Sequence, residues 1–237
     1  MARRPSLTGV IETLEKAYGA PESPPTTDPW EMILRENVVY LAKDEDREKA
    51  FAALKKEVGT RPRDILKASP KALQRISGLA GILAENSARK VREAAEISES
   101  EFGGDLSQVL DWPIPKARRA LKKFPGIGDP GADKLMLLAG RLPVLAVESN
   151  GLGVLSRLGL APDEGSYSAK YRAAREIGES DDCAWLWKAR QLLRTHGQRT
   201  CKWTRPLCES CVLNEVCPFP KSTAKARSYK VPRAGRR

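Results

Sequence analysis

Apolar residues recur every three or four positions through most of the chain, which is the spacing of helices that pack along one side. Residues 5–18 show it first, with Leu7, Val10, Ile11, Leu14 and Ala17 on one face. Further helices are predicted at about 45–57, 62–67, 70–76, 86–96, 105–110 and 114–123, from 129 onward, and at 150–158, 166–176 and 182–195. Because no window alternates strictly between apolar and polar residues, the sequence predicts an all-α protein.

A second long helix is predicted after a linker rich in proline and threonine at residues 19–29. Asp28 is a suitable N-cap, and Pro29 suits the first helical position because its missing N–H would have no partner there. The predicted helix runs to about Leu41. Its packed face carries Trp30, Ile33, Leu34, Asn37, Val38 and Leu41.

Length and composition limit the number of domains and argue against a secreted or membrane protein. At 237 residues the chain can bury a core in one large or two small domains. Its hydrophobic content is 41%, and no apolar run is long enough to cross a membrane. Glu12 and Glu15 stand where a signal peptide would need an apolar stretch. We therefore expect a monomeric, cytoplasmic protein that is neither secreted nor bound to a membrane.

The chain is strongly basic, with a formal net charge of +11 and a pI near 9.5. Such a surface favours a polyanion, most simply nucleic acid. No acidic residue lies between Cys183 and Cys208, where the basic residues are Lys188, Arg190, Arg194, Arg199, Lys202 and Arg205. Because a solvated helix face usually mixes signs, we expect this segment to face phosphates. Residues 221–237 are basic too, and a disordered, solubilising tail is an equal alternative there.

Four cysteines near the C-terminus, spaced C-x6-C-x2-C-x5-C, are Cys201, Cys208, Cys211 and Cys217. A 4Fe-4S cluster takes one thiolate per iron, so it needs four cysteines on a compact loop. Structural zinc is the second interpretation, although its sites usually show two C-x2-C pairs and this segment has one. Disulfides are the third, and they would need an oxidising compartment. The fifth cysteine, Cys183, is expected to fill the core.

A tight turn between two predicted helices carries the next strong signal. Leu121 and Phe124 end the first helix, and Gly126, Ile127 and Gly128 follow. Two glycines around one apolar residue let backbone amides at a helix N-terminus approach a phosphate closely. This helix–hairpin–helix pattern contacts the DNA backbone and not base edges, so it predicts binding without selection of a base.

The hairpin followed by the four cysteines resembles the endonuclease III superfamily of DNA glycosylases. The run from His196 to Cys201 is similar to the start of that family's iron–sulfur loop, and the similarity covers roughly residues 29–43 and 118–220. It implies a two-domain helix–hairpin–helix DNA glycosylase fold. The implied bounds are 29–140 for a helical barrel with the hairpin at 121–136, 1–28 plus 141–220 for an iron–sulfur cluster domain, and 221–237 for a basic, disordered tail. The implied cofactor is a 4Fe-4S cluster.

The resemblance also assigns chemistry residue by residue. In bifunctional members, a lysine two residues after the second hairpin glycine attacks the sugar, but Pro130 stands here and has no amine. Lys134, one helical turn further on, is expected at the surface or against a phosphate. The family's catalytic aspartate corresponds to Glu148, so a carboxylate remains. Asn150 matches an asparagine of the adenine-excising MutY branch, which implies a place in the base pocket.

Counted from Pro29, Glu36 falls on the MutY glutamate that protonates the departing base. Its neighbours three and four residues away are not cationic, being Met32, Ile33, Val39 and Tyr40. A carboxyl group beside apolar and aromatic side chains tends to hold its proton, which suits a general acid. A solvent-facing glutamate is the alternative for Glu36, and a neighbour of a helix N-cap is the alternative for Glu148.

The sequence therefore predicts a monofunctional DNA glycosylase that extrudes a damaged or mismatched base from double-stranded DNA, associated with the nucleoid. The expected DNA contacts are Gly126, Ile127, Gly128, Lys202, Arg205 and Leu41, with Tyr40 and Asn150 in the base pocket and Glu36 and Glu148 catalytic. Trp203 is expected to pack, with a DNA contact as the alternative. Two alternatives are a lesion-binding protein that has lost catalysis and a lyase that uses another amine, such as Lys134.

Overall fold

The computed structural model describes residues 5–39, 42–79 and 82–220, without the side chain of Asp44. The helices and turns assigned within these residues confirm the predicted all-α class. The α-helices are α1 (Leu7–Tyr18), α2 (Pro29–Asn37), α3 (Asp44–Glu57), α4 (Pro62–Lys67), α5 (Pro70–Ser77), α6 (Ala84–Phe102), α7 (Ile114–Leu121), α8 (Asp129–Leu138), α9 (Ser149–Arg157), α10 (Tyr167–Arg175) and α11 (Cys183–Arg199). Short 3₁₀ turns occupy Ser107–Asp111 and Cys208–Ser210.

Helix α2 begins as the sequence predicts and ends earlier. The Asp28 side chain accepts a hydrogen bond from the Glu31 N–H at 2.6 Å, which satisfies one of the free donors of the first turn. The last helical residue is Asn37, not a residue near Leu41. The Asn37 side chain donates to the Ile33 carbonyl, a local bond of the type that competes with helix continuation.

Two other predicted helices differ from the structure. The segment at 105–110 forms a 3₁₀ turn at Ser107–Asp111, because the Asp105 side chain accepts from the Ser107 N–H and fixes a turn there. Helix α6 extends past the predicted 86–96 and ends at Phe102, because the next residue, Gly103, adopts a left-handed conformation with a φ of +63°.

The chain divides into two compact units. The hairpin unit is Ser23–Leu142, and the cysteine unit joins Met1–Glu22 with Pro143–Arg237, of which residues 5–22 and 143–220 are described. In the hairpin unit, α6 packs against α2, α4 and α5. Deeply buried side chains of this core include Ile33, Leu34, Leu54, Ile65, Ile76 and Val91.

The cysteine unit is built around α11, which packs against α1 and α9, while α10 packs against α9. Its buried core contains Leu7, Leu14, Leu152, Leu155, Leu186 and Leu193. The N-terminus of α1 is held from a distance in sequence, because the Glu179 carboxylate accepts from the Leu7 and Thr8 N–H groups at 3.1 Å each. Among the described helices, none combines the length and the apolar character that a membrane crossing requires.

Candidate nucleic-acid interface and catalytic carboxylates

The hairpin joins α7 to α8 through a turn that only glycine adopts easily. Gly126 has a φ of +75°, and the Ile127 N–H donates to the Phe124 carbonyl at 3.2 Å. The Ile127 side chain is only 5% exposed. Ile127 therefore anchors the turn that carries Gly126 and Gly128, and its contact with DNA stays a prediction.

Helix α2 holds this turn through Asn37, which is 3% exposed. Its side-chain amide donates to the carbonyls of Ile33 and Pro125 at 2.9 Å each. A Cβ at Gly126 would stand 3.1 Å from Asn37 Oδ1. Sequence reasoning placed Asn37 on the packed face of α2 without giving it a role. The sequence did contain a signal for this role: Asn37 is polar on an otherwise apolar face, and a buried amide needs hydrogen-bond partners.

Charged side chains fasten the two hairpin helices together. Asp133 is completely buried, and its carboxylate accepts from Arg118 Nε at 2.5 Å. Arg118 also reaches Asp129 at 3.3 Å, and Lys122 pairs with Asp129 at 2.7 Å. A buried carboxylate needs such a partner, so the Arg118–Asp133 pair fixes the orientation of α8 on α7.

Glu36 and Lys134 form an ion pair between α2 and α8. The Glu36 side chain is 40% exposed and that of Lys134 is 12% exposed. This corrects two expectations. Glu36 does not lie among apolar groups alone, and Lys134 is not a surface residue. The prediction failed because the cation comes from another helix, whereas only neighbours within α2 had been considered.

Lys134 also lies on the same face of α8 as Pro130. Residues four apart in a helix share a face, and side chains lean toward the helix N-terminus. The ammonium of Lys134 thus extends from the helix face on which the family's lysine would stand. Here the Glu36 carboxylate engages it.

Glu148 caps the N-terminus of α9. Its carboxylate accepts from the backbone N–H groups of Asn150 and Gly151 at 2.9 and 3.0 Å, and from Asn150 Nδ2 at 2.8 Å. Negative charge is favoured at this end of a helix. The Asn150 amide donates to Glu148 and helps to orient the carboxylate, while its place in the base pocket stays a prediction.

Tyr167, which the sequence did not single out, lies near both Glu148 and Arg190, the latter a residue that the sequence analysis expected to face phosphates. Burial raises the pKa of the Tyr167 phenol, the Glu148 carboxylate acts in the same direction, and the Arg190 guanidinium opposes both. Arg190 is 8% exposed, and its Nε donates to the Ala146 carbonyl at 2.8 Å. The carboxylate therefore sits in a polar surrounding that includes a phenol and a guanidinium.

The four cysteines line one pocket that is partly open to solvent. Burial raises the pKa of the Cys211 and Cys217 thiols, and the other sulfurs of the quartet add to the rise. In the described part of the chain, no three His, Cys, Asp or Glu side chains are grouped closely enough to hold a single metal ion. What supports a larger group is the shared cavity, because four thiols facing one space match the one-thiolate-per-iron demand of a 4Fe-4S cluster.

Arg157 connects the first and last cysteines of the quartet. Its guanidinium donates to the Cys201 carbonyl at 2.9 Å and to Cys201 Sγ at 3.2 Å. The Arg157 carbonyl in turn accepts from Cys217 Sγ at 3.5 Å. Sequence reasoning missed this residue, since a single arginine in an amphipathic helix gives no local signal.

His196 is a structural residue of this site. It is 1% exposed, and Tyr18 Oη lies 2.8 Å from its Nδ1 while Cys211 Sγ lies 3.6 Å from its Nε2. Burial lowers the pKa of His196 to about 4. The ring therefore joins α1 to the cysteine loop. Cys183, by contrast, is half-buried at the start of α11 and does not fill the core.

No family model matches the chain. It is 26% identical over 206 residues to endonuclease III of Thermotoga maritima, an alignment that covers 86% of this chain and 90% of that protein. It is 29% identical over 137 residues to endonuclease III of Sulfolobus acidocaldarius, covering 58% of each chain. Against a solved non-covalent complex of endonuclease III with DNA, the TM-score is 0.74 at 21% identity, over 95% of this chain and all of the other. The chain has the fold of the endonuclease III superfamily.

The superfamily fold also includes a thermostable thymine-DNA glycosylase, which matches with a TM-score of 0.71 at 18% identity over 91% of this chain and 97% of that one. The structural likeness and the relatives named endonuclease III confirm the resemblance drawn from the hairpin and the cysteines. Residues Tyr40 and Leu41, and the tail 221–237, lie outside the described residues.

Within the endonuclease III fold, the loop from Cys201 to Cys208 presents its side chains outward. Lys202 and Arg205 are exposed. Trp203 is 74% exposed, which corrects the expectation that it packs. Arg157 donates to the Trp203 carbonyl at 2.8 Å, and the ring lies outside the core.

Proposed function

We propose that this protein is a DNA N-glycosylase of base excision repair, which removes a damaged or mismatched base from double-stranded DNA. The observation that carries the proposal is the arrangement on α2. Asn37 binds the hairpin turn, and the adjacent Glu36 exposes a carboxylate beside Lys134. A phosphate-contacting hairpin and an acidic side chain are thus held by two consecutive residues of one helix.

The proposed reaction is hydrolysis of the glycosidic bond of an extruded nucleotide, since that bond is inaccessible inside a stacked duplex. Glu36, paired with the Lys134 ammonium, would orient or activate the attacking water. The capped carboxylate of Glu148 would offset the positive charge that develops on the sugar. Two carboxylates with these roles recur in sugar hydrolysis.

The proposed enzyme is monofunctional. A solved relative of this fold is a trapped covalent intermediate of endonuclease III with DNA, with a TM-score of 0.73 at 20% identity, over 93% of this chain and 99% of that one. Pro130 supplies no amine for such a bond here. Lys134 has an amine, but a charged ammonium in an ion pair is a poor nucleophile. Lyase activity at the abasic product should therefore be weak or absent.

A 4Fe-4S cluster held by Cys201, Cys208, Cys211 and Cys217 is the proposed cofactor. The shared cavity and the number of thiols fit it. When bound, the cluster would hold the loop in shape and place Lys202 and Arg205 at the protein surface. Zinc remains the competing occupant, and metal analysis separates the two.

The test is a panel of duplexes that each carry one altered base or mismatch, incubated with purified protein and then treated with hot alkali to cut abasic sites. Strand cleavage of one duplex that needs alkali supports a monofunctional glycosylase. Borohydride during the reaction should trap no covalent protein–DNA adduct. A trapped adduct that disappears in Lys134→Ala would instead identify a lyase.

A second candidate function is lesion binding without catalysis. It is favoured by Glu148, whose two carboxylate oxygens are both engaged in capping α9. It predicts tight binding to one duplex of the panel without base release from any of them.

A further inference from the structure

Trp203 stands out from the surface of the cysteine unit. Its side chain is 74% exposed, whereas tryptophan is among the more buried residue types. On one side its ring meets α9, because a Cβ at Gly153 would stand 3.5 Å from two carbons of the indole, Cε3 and Cζ3. The ring thus rests on a helix and leaves most of its area open.

The backbone that carries the ring is fixed. Arg157 donates to three successive carbonyls, those of Cys201, Lys202 and Trp203, at 2.9, 2.9 and 2.8 Å. The Leu207 N–H donates to the Thr200 carbonyl at 2.9 Å and closes the base of the loop. An aromatic ring on a loop that is already ordered loses little conformational entropy when a ligand binds.

The charge around the ring is positive. Lys202 precedes it and Arg205 follows two residues later, and both are exposed. Neither forms an ion pair with another of the residues that the structure describes. The nearest acidic residue after the ring is Glu209, beyond Cys208. A flat apolar ring between two free cations matches a ligand that alternates anionic groups with flat aromatic groups.

We infer that Trp203 is a stacking platform for an unpaired nucleobase of bound DNA, with Lys202 and Arg205 at the adjoining phosphates. This inference rests on the proposed function only in requiring that the protein bind DNA. Aromatic side chains stack on any base because every base has a π-face. A base inside an intact duplex is covered by its neighbours, so the platform favours strands with an unstacked base.

The test measures equilibrium binding of the full-length protein to three labelled DNAs: a duplex, the same duplex with one bulged base, and a single strand. Trp203→Ala should weaken binding to the bulged duplex and the single strand by roughly five- to a hundredfold. Trp203→Phe should restore most of that loss. The matched control is Val212→Ala, because Val212 is another exposed apolar residue of the cysteine unit, with 48% of its surface exposed. This variant should bind DNA as the wild type does.

A second readout separates stacking from a structural role. Single-strand binding should quench tryptophan emission more in the wild type than in Trp203→Phe, and each variant should keep its helical circular dichroism. Equal affinity of Trp203→Ala and wild type for the bulged duplex would overturn the platform and leave the glycosylase proposal standing. If Trp203→Ala changed the oligomeric mass in solution without changing DNA affinity, the ring would belong to a protein contact, and the platform would be overturned too. Absence of DNA binding by the wild type would overturn both proposals.

Discussion

The side-chain amide of Asn37 donates to the carbonyl of Pro125 at 2.9 Å, so helix α2 holds the hairpin turn directly. The preceding residue, Glu36, is exposed and pairs with Lys134. Two consecutive residues of α2 therefore have separate roles. Asn37 fixes the segment proposed to bind phosphates, and Glu36 presents the carboxylate proposed to act on the glycosidic bond.

Replacement of Asn37 by alanine should lower the free energy of unfolding by about 1 to 2 kcal/mol, because it leaves the part-buried carbonyl of Pro125 without its donor. It should also weaken DNA binding, since the hairpin turn is released. Chemical unfolding and a binding titration measure the two effects. Asn86→Ala removes a solvent-exposed bond to Arg89 and serves as the control. Equal stability of the two variants would contradict the role given to Asn37.

Two glycines of the cysteine unit should respond oppositely to alanine. A Cβ at Gly197 would stand 2.7 Å from the Asn150 carbonyl oxygen, so Gly197→Ala must displace α11 from the start of α9. A Cβ at Gly153 would meet only ordinary contacts at 3.5 Å. Gly153→Ala should then raise stability by roughly 0.5 to 1 kcal/mol through helix propensity, while Gly197→Ala lowers it. Thermal unfolding of both variants is the measurement, and a Gly197→Ala variant as stable as the wild type would show that α9 and α11 do not approach as described.

Loss of the cysteine pair Cys208 and Cys211 should abolish the bound cofactor. The double serine variant should contain little iron and lack the visible absorption of an iron–sulfur protein, because a 4Fe-4S cluster needs a thiolate for each iron. Cys183→Ser is the matched control, since Cys183 is not among the residues lining the cavity. Iron and zinc analysis of the purified proteins checks this. Zinc in the wild type and iron in neither protein would reject the cluster.

The stability of the cysteine unit should fall in acid through Glu179. Burial acts to raise the pKa of Glu179, but hydrogen bonds from the Thr8 hydroxyl and the Thr8 and Leu7 N–H groups outweigh it and lower the pKa below its ordinary value of 4.5. A lowered folded-state pKa means that the contribution is complete above the unfolded-state value and is lost as pH falls through the folded-state value.

Glu179→Gln should therefore be less stable than the wild type at neutral pH. On acidification from about pH 5 to pH 3, its free energy of unfolding should fall by less than that of the wild type. Glu164→Gln, in an exposed loop segment, should follow the wild-type curve. Unfolding free energies measured across this range provide the comparison. Parallel curves for Glu179→Gln and wild type would contradict the assignment.

The sequence predicted the helical class because apolar spacing and caps are local signals. Asp28 and Pro29 mark the start of α2 without help from the rest of the chain. The candidate carboxylates Glu36 and Glu148 were also found, but their surroundings were not. Lys134 reaches Glu36 across 98 residues, and Arg157 reaches the Cys201 carbonyl across 44. Such partners depend on packing, which a spacing pattern within one helix does not encode. Trp203 was misjudged for the same reason, since its exposure is set by the hold of Arg157 on its backbone.

The most direct test of the account is the single-turnover rate of base release from the duplex that the substrate panel identifies. Glu36→Gln keeps the size of the side chain and removes its charge. Glu31→Gln is the matched control on the same helix, because Glu31 pairs with Arg35 and has no proposed part in the reaction. We expect Glu36→Gln to slow base release by roughly 10²- to 10⁴-fold with DNA binding retained, and Glu31→Gln to react near the wild-type rate. Equal rates for Glu36→Gln and Glu31→Gln would contradict the assignment of Glu36 to the reaction.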